Sequence, residues 1–252
     1  LNGGLRVAQI AVGSGPLDLN TVKRIGHSVG AKVNDVLLGA VAGALRHYLE
    51  AHDAPTDDVV IRGLIPVNLR PQEEAFELGN AFGLVYLDLP VYLEGRVERV
   101  LEVKRQMDEI KASSEAVAAF GILETLGYFP VSFEDQAVRL FSSKASAVMT
   151  NVPGPRQKLH LDGHRIQHIM PWVPRAGEIG LGVSIFSYAG EVRVGVACDA
   201  GLVPDPETIL EGFRDEFTGL LHDLAPDASS PTKDALPDNP SMTPSDPSEG
   251  AE

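Results

Sequence analysis

The stretch "LHLDGHRIQH", residues 159–168, sets His160, His164 and His168 four residues apart around an aspartate and a glycine. On a helix they would share one stripe and could ligate zinc through imidazole nitrogens. A helix is the weaker reading. Asp162-Gly163 sits between short alternating runs, and both residues tolerate the positive φ that a two-residue hairpin turn requires. A hairpin is therefore predicted. It dissolves the even stripe, and no Cys or Glu stands at a recognisable third-ligand spacing, so no metal site is expected. The other reactive residues are as plain. Cys198 lies in an apolar run with no base beside it and reads as a small core residue. His27, His47, His52 and His222 fall in helical patterns or at their ends, where surface positions explain them. Gly13 and Gly15 precede a helical run but lack the rest of any phosphate-loop or dinucleotide fingerprint, so they read as a turn. No G-x-S-x-G elbow, H-E-x-x-H or paired-cysteine motif is present.

Composition narrows the partners. The chain has 252 residues, enough for one large domain or two small ones, and a net charge of −14. That charge argues against nucleic acid, since phosphate neutralisation needs clustered Lys and Arg. One cysteine rules out an internal disulfide framework and suits a reducing, cytoplasmic setting. No apolar run is long enough to span a bilayer and no signal peptide opens the sequence. Residues 226–252 carry six prolines, six acids and one lysine, hence five of the fourteen net negative charges. Too little apolar surface is available there to offset ordering entropy, so a disordered acidic tail is expected after a domain spanning 1–225.

Within 1–225, strand and helix patterns alternate. Strands are predicted over 5–12, 58–70, 81–90, 145–155, 179–188 and 191–199, and helices over about 18–29, 34–52, 96–111 and 205–224. A broken helical region occupies 115–142. In "NDVLLGAVAGALRHYLEAH", Val36, Leu37, Ala40, Val41, Ala44, Leu45, Tyr48 and Leu49 recur at helical spacing. Asn34 is expected to cap this helix and Asp35 to face its positive end. Gly39 and Gly43 each cost about 1 kcal/mol of helix propensity relative to Ala, which predicts that another backbone packs closely there. In 96–111, Val97, Val100, Leu101, Met107 and Ile110 are expected inward beneath a solvated charged face. The fold class is α/β, a mixed-sheet two-layer sandwich.

The order "VGAKVNDVLLGAVAGALRHYL", "IPVNLR", "LGN", "MTNVPGP", "SYAGEVRVGVACD" and "VPDPETIL" resembles the C-terminal half of the bacterial wax ester synthase/diacylglycerol O-acyltransferase family, over about residues 1–224. The resemblance implies one half of a chloramphenicol-acetyltransferase-like, CoA-dependent fold with its active site between two similar halves. The family's H-H-x-x-x-D-G motif belongs to the N-terminal half and is absent from this sequence. "HLDGH" has a different spacing. "LNGG" resembles the stretch just after the first half, so the chain is expected to begin at that junction.

What the resemblance implies for function follows from this. The complete enzyme would transfer a fatty acyl group from acyl-CoA to diacylglycerol or a long-chain alcohol, with acyl-CoA as co-substrate and no other cofactor. The partner would be an N-terminal catalytic half, the isolated chain would be inactive, and the location would be cytoplasmic with peripheral association at the inner membrane face or a lipid droplet allowed. Family analogy puts Asn34 and Asp35 among residues that support activity, and Asn151, Pro153, Gly154 and Pro155 in the cleft. A helix cap and a rigid turn explain the same residues, and both roles stay open. So does a second function, a non-catalytic lipid-binding or interaction module. The first reading predicts an exposed apolar surface where the missing half would pack, the second a polar, self-contained one.

Overall fold

The computed structural model describes residues 8–68, 82–113, 144–174 and 179–224. The predicted helical region 115–142 and the acidic tail 226–252 lie outside these residues, as does the start of the first predicted strand. The described elements are β1 (Gln9–Gly13), β2 (Leu17–Asp18), α1 (Leu19–Ser28), α2 (Val33–Ala51), β3 (Ile61–Asn68), β4 (Phe82–Leu89), α3 (Arg96–Ala112), β5 (Ala147–Pro153), β6 (His160–Leu161), β7 (His164–Arg165), β8 (Leu181–Tyr188), β9 (Glu191–Asp199) and α4 (Glu207–Leu224).

A seven-stranded sheet runs in the order β1-β9-β8-β5-β3-β4, with β2 alongside β9. β3, β5 and β8 are mutually parallel, and the flanking pairs β3–β4, β8–β9 and β9–β1 are antiparallel. The mixed sheet expected from the sequence is what forms. Period-2 alternation puts Ile61 and Ile65 of β3, Val85, Leu87 and Leu89 of β4, Ala147 and Met149 of β5, and Val183 and Ile185 of β8 on one face, where the helices bury them. Across the opposite face runs the extended segment through Met170–Trp172. Ser184 Oγ donates to Pro171 O at 2.6 Å, and Trp172 Nε1 donates to Val12 O at 3.3 Å.

The helix α2 is buried on more sides than its stripe predicted. Of the expected stripe all but the partly covered Leu49 are buried, and Leu38, Gly39, Ala42 and Gly43 are buried as well, because α3 and α4 flank the helix while the sheet floors it. The close backbone approach predicted from the two glycines is present at Gly39, whereas at Gly43 the neighbour is a side chain. A Cβ on Gly39 would meet Val100 Cγ2 at 2.7 Å and its Cα at 3.0 Å, and one on Gly43 would meet Glu216 Cδ at 2.3 Å. Glu216 is there because it pairs with Arg99, which is only 1% exposed. Arg99 also donates to the Leu93 and Glu94 carbonyls at 2.6 and 2.9 Å.

This corrects the reading of α3. Leu101, expected inward, is 43% exposed, whereas Arg99, expected on the solvated face, is buried. Helical phase permits either, and the fixed carboxylate of Glu216 decides it. At the far end of α2, the Tyr48 hydroxyl donates to Asp205 Oδ1 at 3.2 Å, joining α2 to the start of α4. Burial, and then the Asp205 charge, push the Tyr48 phenol up to about 12.

The α2–α3 contact gives a direct test. Gly39→Ala gains about 1 kcal/mol in helix propensity, but the backbone of Val100 must retreat, and overpacking of this kind costs about 1–3 kcal/mol. The expected result is a net fall in the thermal midpoint of several degrees. Gly15→Ala, with no atom within 4 Å of the new Cβ, should leave the midpoint unchanged or slightly raised. Equal midpoints for the two variants would contradict the close packing.

Candidate functional site

The hairpin over the three histidines is present. β6 and β7 pair His160 with Arg165 and Leu161 with His164, and Asp162 and Gly163 turn with φ of 49° and 77°. All three histidines are exposed. Among the described residues, no group of three His, Cys, Asp or Glu side chains could hold a metal ion. Cys198 is fully buried, with Val203 O 3.4 Å from its sulfur, which is the core role expected of it.

The residues singled out by resemblance come together elsewhere. In β5, Asn151 is two and four residues beyond Met149 and Ala147, so it shares the face covered by helices, but at the strand's end. That end lies beside the first turn of α2. Asn151 Nδ2 donates to Asn34 Oδ1 at 3.1 Å, joining positions 117 residues apart in sequence. Pro153, Gly154 and Pro155 continue from this point as a turn held against the β8–β9 connection. Gly154 N donates to Ser187 O at 2.8 Å, and Ala189 N donates to Pro155 O at 2.9 Å. A Cβ on Gly154 would lie 2.4 Å from Phe186 Cζ and 2.4 Å from Ser187 O, so only glycine allows this seam. The β8–β9 turn then reaches α1, with Leu19 N donating to Gly190 O at 2.9 Å.

Together these pieces enclose an open groove of about 840 Å³, within the range of small-molecule sites. Asn34, Asn151, Pro153, Gly154 and Pro155 all line it. Asp35 does not. It is 1% exposed and folds back over the start of the helix, where its Oδ2 accepts from Lys32 N at 2.8 Å. Its Oδ1 is buried without a hydrogen-bond partner among the described residues.

The cap assignment is corrected by the same geometry. α2 begins one residue earlier than expected, at Val33, after an extended Lys32. Asn34 is thus inside the first turn, and its amide is directed to Asn151 rather than to the helix's own N–H groups. Asp35 supplies one half of a capping box, and a lysine side chain has no acceptor with which to supply the other. α1, expected to start near residue 18, begins at Leu19 and is capped by Asp18, whose Oδ2 accepts from Thr21 N at 2.8 Å.

Three further groove residues were not singled out in the sequence: Lys23 on α1, Lys32 before α2, and Arg156 after the proline turn. Isolated surface cations carry no pattern, so only the fold reveals their convergence. Near Lys32, the Lys111 ammonium of α3 is held below the usual lysine range by burial first and by the Lys32 charge second. The groove can therefore present neutral amide groups at its wall and positive charge at its rim.

The comparisons with known proteins agree with this architecture. A wax ester synthase/diacylglycerol acyltransferase from Marinobacter aquaeolei VT8 superposes with a TM-score of 0.70 at 21% identity, over 89% of this chain and 51% of that one. The epimerization domain of a tyrocidine synthetase superposes with a TM-score of 0.58 at 13% identity, over 90% of this chain and 53% of that one. The fold is that of one half of this acyltransferase and condensation-domain class. The chain belongs to the WS/DGAT C-terminal domain family, whose profile matches residues 78–221. A probable diacylglycerol O-acyltransferase of Mycobacterium tuberculosis is 26% identical over 208 residues, covering 81% of this chain and 45% of the relative. Wax ester synthase/diacylglycerol acyltransferase 2 of Arabidopsis thaliana is 28% identical over 228 residues, covering 79% and 47%. The chain spans about half the length of the curated relatives it matches. No single described helix is long and apolar enough to cross a membrane.

The amide contact predicts measurable coupling. In a double-mutant cycle of Asn34→Ala and Asn151→Ala, unfolding free energies should reveal a pairwise term of about 0.5–1.5 kcal/mol, the net worth of a half-buried hydrogen bond. Additive effects would mean that the two amides do not interact in solution.

Proposed function

We propose that this chain is the C-terminal half of an O-acyltransferase that moves a fatty acyl group from acyl-CoA to the hydroxyl of diacylglycerol or a long-chain alcohol. An N-terminal half would supply the histidine base. The observation that carries this reading is the convergence of Asn34, Asn151 and the Pro153–Pro155 turn on one groove, at the carboxyl ends of β5 and β8 and the amino end of α2. Ligands of open α/β sheets bind outside the carboxyl ends of strands. The chemistry requires a base to take the hydroxyl proton as the oxygen attacks the thioester carbonyl. A tetrahedral oxyanion forms, and its collapse expels the thiolate of CoA.

This chain's share is to wall the cleft and orient substrate. The Asn151–Asn34 bond uses one N–H of Asn151 and the oxygen of Asn34, so the Asn34 amide nitrogen remains as a neutral donor beside the groove. Exposed apolar groups on the β6–β7 hairpin, tied to the groove through Tyr188, favour this reading over a self-contained interaction module. Leu159 is 43% and Leu161 is 72% exposed, and Leu159 N donates to the hydroxyl of Tyr188, a groove residue. A catalytic half seated over the groove would cover them.

The test is reconstitution. Alone, the chain should give no acyl transfer from acyl-CoA to hexadecanol or dioleoylglycerol. Fused to the N-terminal half of a relative, it should turn over. Asn34→Ser in the fusion should then lower kcat/KM at least about tenfold, about 1.4 kcal/mol of transition-state stabilisation, with the thermal midpoint within a few degrees of the parent. Turnover by the isolated chain, or wild-type kinetics in a folded Asn34→Ser enzyme, would refute the assignment.

A further inference from the structure

The net charge of this chain is −14, yet the charged side chains lining the groove are all positive: Lys23, Lys32 and Arg156, with no carboxylate among the lining residues. They come from three separate elements, so helical periodicity or a local basic run does not account for their meeting. Several of the other described cations are paired with carboxylates. Arg46 pairs with Glu50, Arg62 with Asp88, Arg99 with Glu216, Lys104 with Asp108, and Arg105 with Glu102 and Glu109. Among the described residues, no such pair engages Lys23, Lys32 or Arg156. Lys111 beside Lys32 adds a fourth positive group at the same corner; burial first, and the Lys32 charge second, hold its ammonium below the usual lysine range, with Asp35 and Asp108 acting the other way. The first turn of α2, a 19-residue helix whose dipole is positive at this end, also opens on the groove through Lys32, Val33 and Asn34.

We propose that this cationic rim is a binding site for phosphate-ester anions, and that its ligand is the phosphorylated end of the acyl donor. The proposal rests on the acyl-CoA reading above and extends it by assigning Lys23, Lys32 and Arg156 to donor recognition. The chemistry suits a dianion. A guanidinium offers a planar fork to phosphate oxygens, and two ammonium groups supply mobile point charges. Leu19, Leu37 and Val192 line the same groove and offer an apolar wall to an aliphatic arm leading away from the phosphates. Field focusing in a cleft of one sign on an oppositely charged molecule also confines a polyanion to this one face.

The direct test is calorimetric titration of the intact chain with coenzyme A, 3′-dephospho-coenzyme A and pantetheine at low ionic strength. Coenzyme A should bind, its affinity should fall as salt rises, removal of the 3′-phosphate should weaken it, and pantetheine should give no heat. The triple variant Lys23→Gln, Lys32→Gln, Arg156→Gln should bind coenzyme A at least tenfold more weakly with an unchanged thermal midpoint. Lys144→Gln, an exposed lysine before β5 at the other end of that strand, should bind like the parent. Vesicles of phosphatidylglycerol and of phosphatidylcholine distinguish a lipid headgroup from the donor. Capture by phosphatidylglycerol that the triple variant abolishes, without coenzyme A binding, would overturn the proposal in favour of a headgroup site. Undetectable coenzyme A binding, or equal affinity in parent and triple variant, would also overturn it. The fused enzyme separates this failure from that of the acyltransferase reading. Turnover of acyl-CoA with a KM untouched by the triple substitution defeats the rim alone, whereas a folded fusion without turnover defeats the proposed reaction.

Discussion

The structure depends on how closely α2 is held. A helix with an accessible side can slide or tilt, but α2 has the sheet beneath it, Val100 of α3 against Gly39, and Glu216 of α4 against Gly43. Interiors packed at crystal-like density do not accommodate such a shift cheaply. With the helix fixed in depth and rotation, its first turn meets the end of β5, and the side chain in phase with Met149 there is Asn151. The Asn34–Asn151 bond is therefore a consequence of core packing, not a local turn motif. The buried Arg99–Glu216 pair belongs to the same constraint. Its desolvation is costly unless its partners are fixed, and the space left by Gly43 admits the carboxylate that fixes it.

Much of the groove is made by backbone. The Gly154 and Ala189 amides join the proline turn to the β8–β9 connection, and Leu19 joins that connection to α1. Side chains then need only decorate a rigid frame, which is the arrangement a positioning site requires. The side-chain amides of Asn34 and Asn151 supply neutral hydrogen-bonding groups near the wall, and the cations stand at the rim.

Some of this was legible in the sequence and some was not, for identifiable reasons. Period-2 and period-3.6 patterns located the described strands and helices to within a few residues, and Asp162-Gly163 correctly outweighed the histidine stripe because positive φ is a stronger local demand than spacing. Gly39 and Gly43 announced a close neighbour but could not say which. The start of α2 was placed one residue late. Asn34 is a good cap by type, whereas Lys32 is a poor one, and only the tertiary contact with Asn151 reveals that Asn34 is engaged elsewhere. Arg99 was misread because a buried arginine is recognisable only with its distant carboxylate in view. The family motif pointed to Asn34, Asn151 and the proline turn. Nothing in the linear order of Lys23, Lys32 and Arg156 could have joined them.

The central claim is that the groove at the amino end of α2 is where a catalytic half meets this chain. Hydrogen–deuterium exchange of the chain, with and without an added N-terminal half from a relative, tests it most directly. Peptides covering Lys32–Leu37, Asn151–Arg156 and Ser187–Val192 should gain protection, while those covering the carboxyl end of α2 and β3's start should be unaffected. Protection confined to those distant peptides, with the groove peptides exchanging as in the free chain, would contradict the account.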